Sequence, residues 1–230
     1  MRKITRHHRK DILFVILLVF FVAINVCRLD MASAETEEKH SVSGKLLVLP
    51  FHNMSELYGK DKNVRCPICG KVYITGEVPD KAKDYLSDKL VLLLRKNKYY
   101  TKMVTSDSQW GDFDLMSKNN QSSSELELLM EAGRAASANA VIVGYLYRFR
   151  QRVGSKISID TPASVAFGIH LIDVKTGRQL WEGHFDETQR SLSENLFKID
   201  KFIKRKASWV TAEEMAVTGL EELLETLPKK

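Results

Sequence analysis

Ala140-Val-Ile-Val-Gly-Tyr-Leu-Tyr147 is the stretch on which the fold turns. An apolar run of β-branched and aromatic residues reads as a strand covered on both faces, a sheet interior rather than a wetted edge. Lys45-Leu-Leu-Val-Leu-Pro-Phe51 has the same character, with Pro50 near its end. Between the two, residues 81–97 set Ala82, Tyr85, Leu86, Leu90, Leu93 and Leu94 on one helical stripe. Lys102-Met-Val-Thr105 is a short strand candidate. Ser122 or Ser124, each with Glu three residues on, offers a capping box to a helix carrying Leu126, Leu129, Met130, Gly133 and Ala136. The small residues of that helix let it sit close to a sheet.

Downstream, Phe167–Val174 and Arg178–Phe185 flank Lys175-Thr-Gly177, a hairpin with glycine where a positive φ is needed. Thr211 with Glu214 caps a last helix bearing Ala212, Met215, Leu220, Leu223, Leu224 and Leu227. The order β-α-β-α-β, then a β-hairpin, then α, predicts an α/β fold. It has a mixed β-sheet with parallel core strands, a C-terminal-side β-hairpin and covering helices.

The 230 residues are 44% hydrophobic and 28% charged, a globular composition. The net charge of +6 is misleading as a nucleic-acid signal. Residues 1–34 hold six basic residues (Arg2, Lys3, Arg6, Arg9, Lys10, Arg28) against Asp11 and Asp30. Removing these from the totals of 35 and 29 leaves 29 basic and 27 acidic residues, a net of +2. No nucleic-acid partner is expected.

The basic start is followed by 13 apolar residues, Ile12 to Ile24, and then by Ala32-Ser33-Ala34. This is the pattern of a signal peptide cleaved before Glu35. A retained anchor in the inner membrane and a lipoprotein modified at Cys27 are the alternatives. Val26 stands where a lipobox has a small residue, and the run is short of the roughly 20 residues a span needs. All three readings place the bulk of the chain in the periplasm or otherwise outside the cytoplasm, close to the membrane through its N-terminus. The expected organisation is 1–34 signal peptide or anchor, 35–44 flexible leader, 45–190 α/β domain with a Cys-containing loop at 52–79, and 191–230 basic linker and C-terminal helix.

Within that loop lies Arg65-Cys66-Pro67-Ile68-Cys69-Gly70. A local disulfide pinning the loop is one reading. A thiol oxidoreductase would place the pair at a helix start, and Val72-Tyr-Ile-Thr75 does not look like one. A zinc knuckle is the third: Cys66 and Cys69 would be half of a site that needs four ligands, with His52 and His40 as upstream candidates or a second subunit supplying the rest. Zn2+ is therefore the one cofactor the sequence suggests. His170 and His184 fall near each other across the predicted hairpin, a geometry able to hold a metal, but two exposed sheet histidines without a nearby third ligand read as structural.

Lys175-Thr-Gly177 also matches a penicillin-binding-protein motif, but no Ser-x-x-Lys nucleophile accompanies it, nor does any phosphate-binding or nucleophile-elbow motif occur. No catalytic residue is expected. The basic, amphipathic stretch Lys198, Lys201, Lys204, Arg205 and Lys206 is a candidate partner-binding patch. Along the central strand Tyr145, Tyr147 and Phe149 alternate with Arg148, Arg150 and Arg152, predicting aromatics on one face and arginines on the other.

Leu47-Val-Leu-Pro-Phe-His-Asn53, Ala138-Asn-Ala-Val-Ile-Val-Gly-Tyr-Leu146 and Leu171-Ile-Asp-Val-Lys-Thr-Gly-Arg-Gln-Leu-Trp181 together resemble segments of bacterial envelope proteins. These are the N-terminal domain of TolB, the penicillin-binding-protein activator LpoB, and CsgG-like lipoproteins. The resemblance spans residues 45–190. It implies an anticodon-binding-domain-like fold that contacts an envelope protein partner without catalysis, compatible with homo-oligomers. A thiol-disulfide or metal-dependent activity at Cys66 and Cys69 is the alternative.

Overall fold

A computed structural model of the chain describes residues 44–97, 102–105, 124–154, 159–189 and 210–228. A five-stranded sheet forms the centre. In chain order its strands are β1 (Lys45–Asn53), β4 (Lys102–Thr105), β5 (Ala140–Arg150), β8 (Ser164–Asp173) and β9 (Gln179–Thr188), and their spatial order is β4-β1-β5-β8-β9. β1 runs parallel to both β4 and β5, whereas β8 and β9 add on as antiparallel strands. The sheet is mixed with a parallel core, as the two helical crossovers require.

Each face of the sheet buries its own cluster. On one face Leu46, Val48, Ile142, Phe167 and Ile169 meet two helices. These are α2 (Ala82–Lys96), through Leu86, Leu90 and Leu94, and α4 (Ala212–Leu224), through Met215, Ala216 and Leu220. α4 begins with the expected capping box, Thr211 and Glu214 each bonded to the other's backbone N–H. On the other face Leu47, Val141 and Ile172 meet α3 (Glu125–Ala135) through Leu128, Leu129 and Ala132. Ser124, with Glu127, caps it. Gly133 allows the close approach that its sequence suggests: a Cβ there would lie 2.3 Å from Val174 Cγ2.

The rest of that second face is covered by residues 54–79, which sequence reading treats as one long loop. The structure builds it from α1 (Met54–Tyr58) and a two-stranded ribbon, β2 (Asn63–Arg65) antiparallel to β3 (Val72–Ile74). Val64 and Tyr73 pair across the ribbon and face inward, while Asn63, Arg65, Val72 and Ile74 face out. Sequence reading missed the ribbon because strands of three residues carry almost no periodic signal. A separate small ribbon joins β6 (Val153–Gly154) and β7 (Ile159–Thr161).

The alternation expected along Tyr145–Arg152 is broken. A β-bulge lies between Leu146 and Arg148, so Tyr145 and Tyr147 join the cluster under the ribbon while Phe149 belongs to the opposite one. The carbonyl of Tyr147 accepts instead from Gly76 N–H at 2.9 Å and from Ser55 Oγ at 3.4 Å, docking the insertion onto the central strand. Among the described residues no helix is long and apolar enough to cross a membrane.

Candidate metal centre

The turn between β2 and β3 is Cys66-Pro67-Ile68-Cys69-Gly70. It is closed by Cys66 N–H to Lys71 C=O at 2.8 Å and by Gly70 N–H to Cys66 C=O at 3.0 Å, with Gly70 at a φ of 75°. Glycine adopts that left-handed backbone without a Cβ penalty. The turn aims amides at sulfur. Ile68 and Cys69 N–H donate toward Cys66 Sγ, and Lys71 N–H donates toward Cys69 Sγ. Both cysteines are free thiols.

The sheet meets them with histidines. His170 points to the ribbon side because it shares the parity of Ala166 and Ile172 on β8, and His184 does so because it stands opposite Gly168 and next to Phe185, whose side chain belongs to the other face. His170 Nε2 lies 3.2 Å from Cys66 Sγ, and His184 Nε2 lies 3.9 Å from Cys69 Sγ. The ligand atoms of Cys66, Cys69 and His170 are all within 4.8 Å of one another, as are those of Cys69, His184 and Glu182. Cys66 is 3% exposed and His170 0%. The structure thus gathers the two sequence-predicted cysteines with two histidines that sequence reading had set aside.

The expected upstream ligand His52 is elsewhere, its ring stacked on Tyr145 at 5.6 Å between centroids. His40 and the basic patch Lys198, Lys201, Lys204, Arg205 and Lys206 lie outside the described residues. The signal for the histidines was present: an imidazole at an inward position of a buried strand needs a polar partner, and the hairpin register puts His170 opposite Glu182 and His184 opposite Gly168. What supplies the partner is more than a hundred residues upstream.

A surrounding shell orients the rings. Gln179 Nε2 donates to Glu182 at 2.9 Å, which leaves its Oε1 3.2 Å from His170 Nδ1. His170 thus meets an acceptor at Nδ1, which fixes the ring with Nε2 toward Cys66. Tyr73 Oη is 2.6 Å from His184 Nδ1. The Tyr73 ring stacks on Tyr147 at 4.0 Å and 10°. Tyr147 is wholly buried and its hydroxyl has no hydrogen-bond partner. After burial, Cys66 is the chief group pushing that phenol above its usual value.

Electrostatically the two thiols are driven apart. Burial opposes charge on Cys66, but the hydrogen bond with His170 and the turn amides outweigh it, and the thiol titrates below its ordinary range. Burial raises Cys69, and a thiolate at Cys66 raises it further. Burial also lowers His184, with Lys71 acting the same way and Glu182 opposing both. A thiolate at Cys66 therefore disfavours a second one at Cys69.

No protein-family model matches the chain, and no curated protein matches it. Solved structures with a similar chain path include the PelC dodecamer from Paraburkholderia phytofirmans (14% identity, TM-score 0.47, 82% of this chain and 89% of that one). Lipoprotein GNA1162 from Neisseria meningitidis is another (12% identity, TM-score 0.38, 71% and 97%). A third is the LpoB C-terminal domain from Salmonella enterica (15% identity, TM-score 0.36, 71% and 93%). Likeness at this level carries no assignment of function.

Proposed function

We propose that the chain is a non-catalytic accessory or assembly protein of the bacterial cell envelope, exported across the inner membrane, whose α/β domain binds a protein partner. The kinship with TolB, LpoB and CsgG-like proteins and their anticodon-binding-domain-like fold, implied by the sequence resemblance, belongs to this reading.

The observation that supports contact through a surface is where the apolar side chains are left bare. Among the described residues six large hydrophobics are exposed, and four of them, Leu57, Tyr58, Val72 and Ile74, sit on the 54–79 insertion. Scattered exposed apolar residues need no explanation, whereas concentration on one inserted element marks a contact surface. Export is supported by the basic start, the apolar run and Ala32-Ser33-Ala34.

The test is crosslinking in intact cells, comparing wild type with Val72→Thr/Ile74→Thr and with Leu57→Ser/Tyr58→Ser. Both doubles remove apolar surface from exposed positions, and threonine keeps the β-branched shape of Val72 and Ile74. The captured envelope proteins should be lost with one or both doubles. An unchanged set of captured proteins, or recovery of the mature chain from the cytosol, rejects the reading.

A further inference from the structure

We infer that Cys66, Cys69, His170 and His184 form a closed, four-coordinate zinc site that ties the β2–β3 ribbon to the hairpin of the central sheet. This is independent of which partner the protein meets.

Geometry carries the inference. Tetrahedral ligands bound 2.0–2.3 Å from a zinc ion stand roughly 3.3–3.8 Å from one another. Two of the four sulfur–nitrogen pairs, Cys66–His170 and Cys69–His184, are at 3.2 Å and 3.9 Å, and the ligand atoms of Cys66, Cys69 and His170 all lie within 4.8 Å of one another. The donor set is two thiolates and two imidazoles, the choice that favours Zn2+ over the oxygen-seeking Mg2+ and Ca2+. Amides of the turn point at both sulfurs.

The surroundings are those of a ligand sphere and not of a reactive thiol. Gln179 Oε1 meets His170 Nδ1, and Tyr73 Oη faces His184 Nδ1, leaving each ring's Nε2 as the metal-facing atom. Glu182, an exposed carboxylate hydrogen-bonded to Gln179, lies 3.3 Å from His184 Nε2 and is the rival for the fourth ligand position; His184→Asn and Glu182→Gln tell the two apart. Four protein ligands and a buried core leave no open position for substrate, so the ion is structural. Binding deprotonates both thiols, and the protons released leave to solvent with the histidines neutral.

The experiment uses the full chain in mild detergent, reduced and stripped of metal, then titrated with Zn2+ against a chromophoric chelator and separately with Co2+. The expected result is one equivalent of Zn2+ per chain. The Co2+ form should show the strong visible bands of a tetrahedral ion together with thiolate-to-cobalt charge transfer. Cys66→Ser, Cys69→Ser, His170→Asn and His184→Asn should each weaken binding at least 100-fold, while Glu182→Gln stays within about 10-fold of wild type. Circular dichroism of each metal-free variant reports whether it folds, and the wild-type titration stands whatever the variants do.

Three results overturn the inference. One is a reduced wild-type chain that binds no stoichiometric metal, or binds Co2+ with weak octahedral bands. Another is protein isolated from the envelope with Cys66 and Cys69 joined as a disulfide. The third is binding that survives His184→Asn and is lost in Glu182→Gln.

Discussion

Tyr73 Oη and His184 Nδ1 lie 2.6 Å apart, joining the middle of the inserted ribbon to the outermost strand of the sheet across 111 residues of chain. This bond and the Tyr73–Tyr147 stack hold the ribbon to the sheet near the thiols. Tyr73→Phe keeps the stack and deletes the bond. It should cost about 1 kcal/mol in denaturant unfolding and weaken Zn2+ binding about 10-fold or more in chelator competition. Unchanged affinity would mean that His184 is oriented by something else.

Gly168 lies opposite His184 in the hairpin, directly beneath that hydroxyl. A Cβ placed there would sit 3.2 Å from Tyr73 Oη and 3.5 Å from both His170 Nε2 and His184 Nδ1. Gly168→Val is therefore expected to lift the ribbon, seen as faster amide exchange across 63–75 and lower metal affinity, whereas Gly168→Ala produces a smaller shift of the same sign. Equal effects from alanine and valine would argue against crowding as the cause.

Arg148 is the second fastening of the insertion. Its Nη1 donates to Ile74 C=O at 2.9 Å, its Nε to Ser164 Oγ at 2.6 Å and its Nη2 to Asp186 at 2.5 Å. Charge-assisted bonds of this kind are worth about 2 kcal/mol when one partner is truncated. Arg148→Ala should lower stability by about that much and open Thr75 and Gly76 to hydrogen exchange before the sheet itself exchanges.

Gly133 sets helix propensity against packing. Alanine in a helix interior gains about 1 kcal/mol over glycine, but a Cβ here would meet Val174 at 2.3 Å and Val141 at 2.8 Å. Overpacking typically costs about 1–3 kcal/mol, so Gly133→Ala should lower the Tm. A raised Tm would show that α3 can shift outward freely.

The β8–β9 turn gives a pH signature. Asp173 Oδ1 accepts from Thr176 N–H and Oγ1, each at 2.7 Å. Burial pushes this carboxyl up slightly, but the Thr176 bonds outweigh it and hold it below its usual value. A carboxyl depressed in the folded state stabilises above its unfolded pKa and loses that contribution as pH falls through the folded one. Wild type should be more stable than Asp173→Asn at neutral pH, with the gap closing as pH falls below the ordinary aspartate range. A gap constant with pH would rule out the charge.

Most of the sheet could be read in advance, since long apolar strands, two capping boxes and a Lys-Thr-Gly turn are local signals. Ala140–Tyr147, Ser124 with Glu127 and Thr211 with Glu214 all behave as their patterns predict. The centre was half legible. Cys66 and Cys69 announce themselves by spacing, but His170 and His184 become their neighbours only through the ribbon's fold back onto the sheet, and no local period encodes a contact 104 or 115 residues long. The alternation beyond Tyr145 misled because a bulge adds one residue without changing composition.

That bulge has an implication for how the chain could be shortened. The extra residue frees the Tyr147 carbonyl from the ladder, and Gly76 N–H takes it up. Excising the insertion would strand this acceptor and also the N–H of Phe149, which donates to Glu77 C=O at 2.7 Å. A miniaturised version of the domain therefore has to bring its own donor to the Tyr147 carbonyl and its own acceptor to the Phe149 N–H, so the stretch around Gly76 and Glu77 is the last part of the insertion that can be cut.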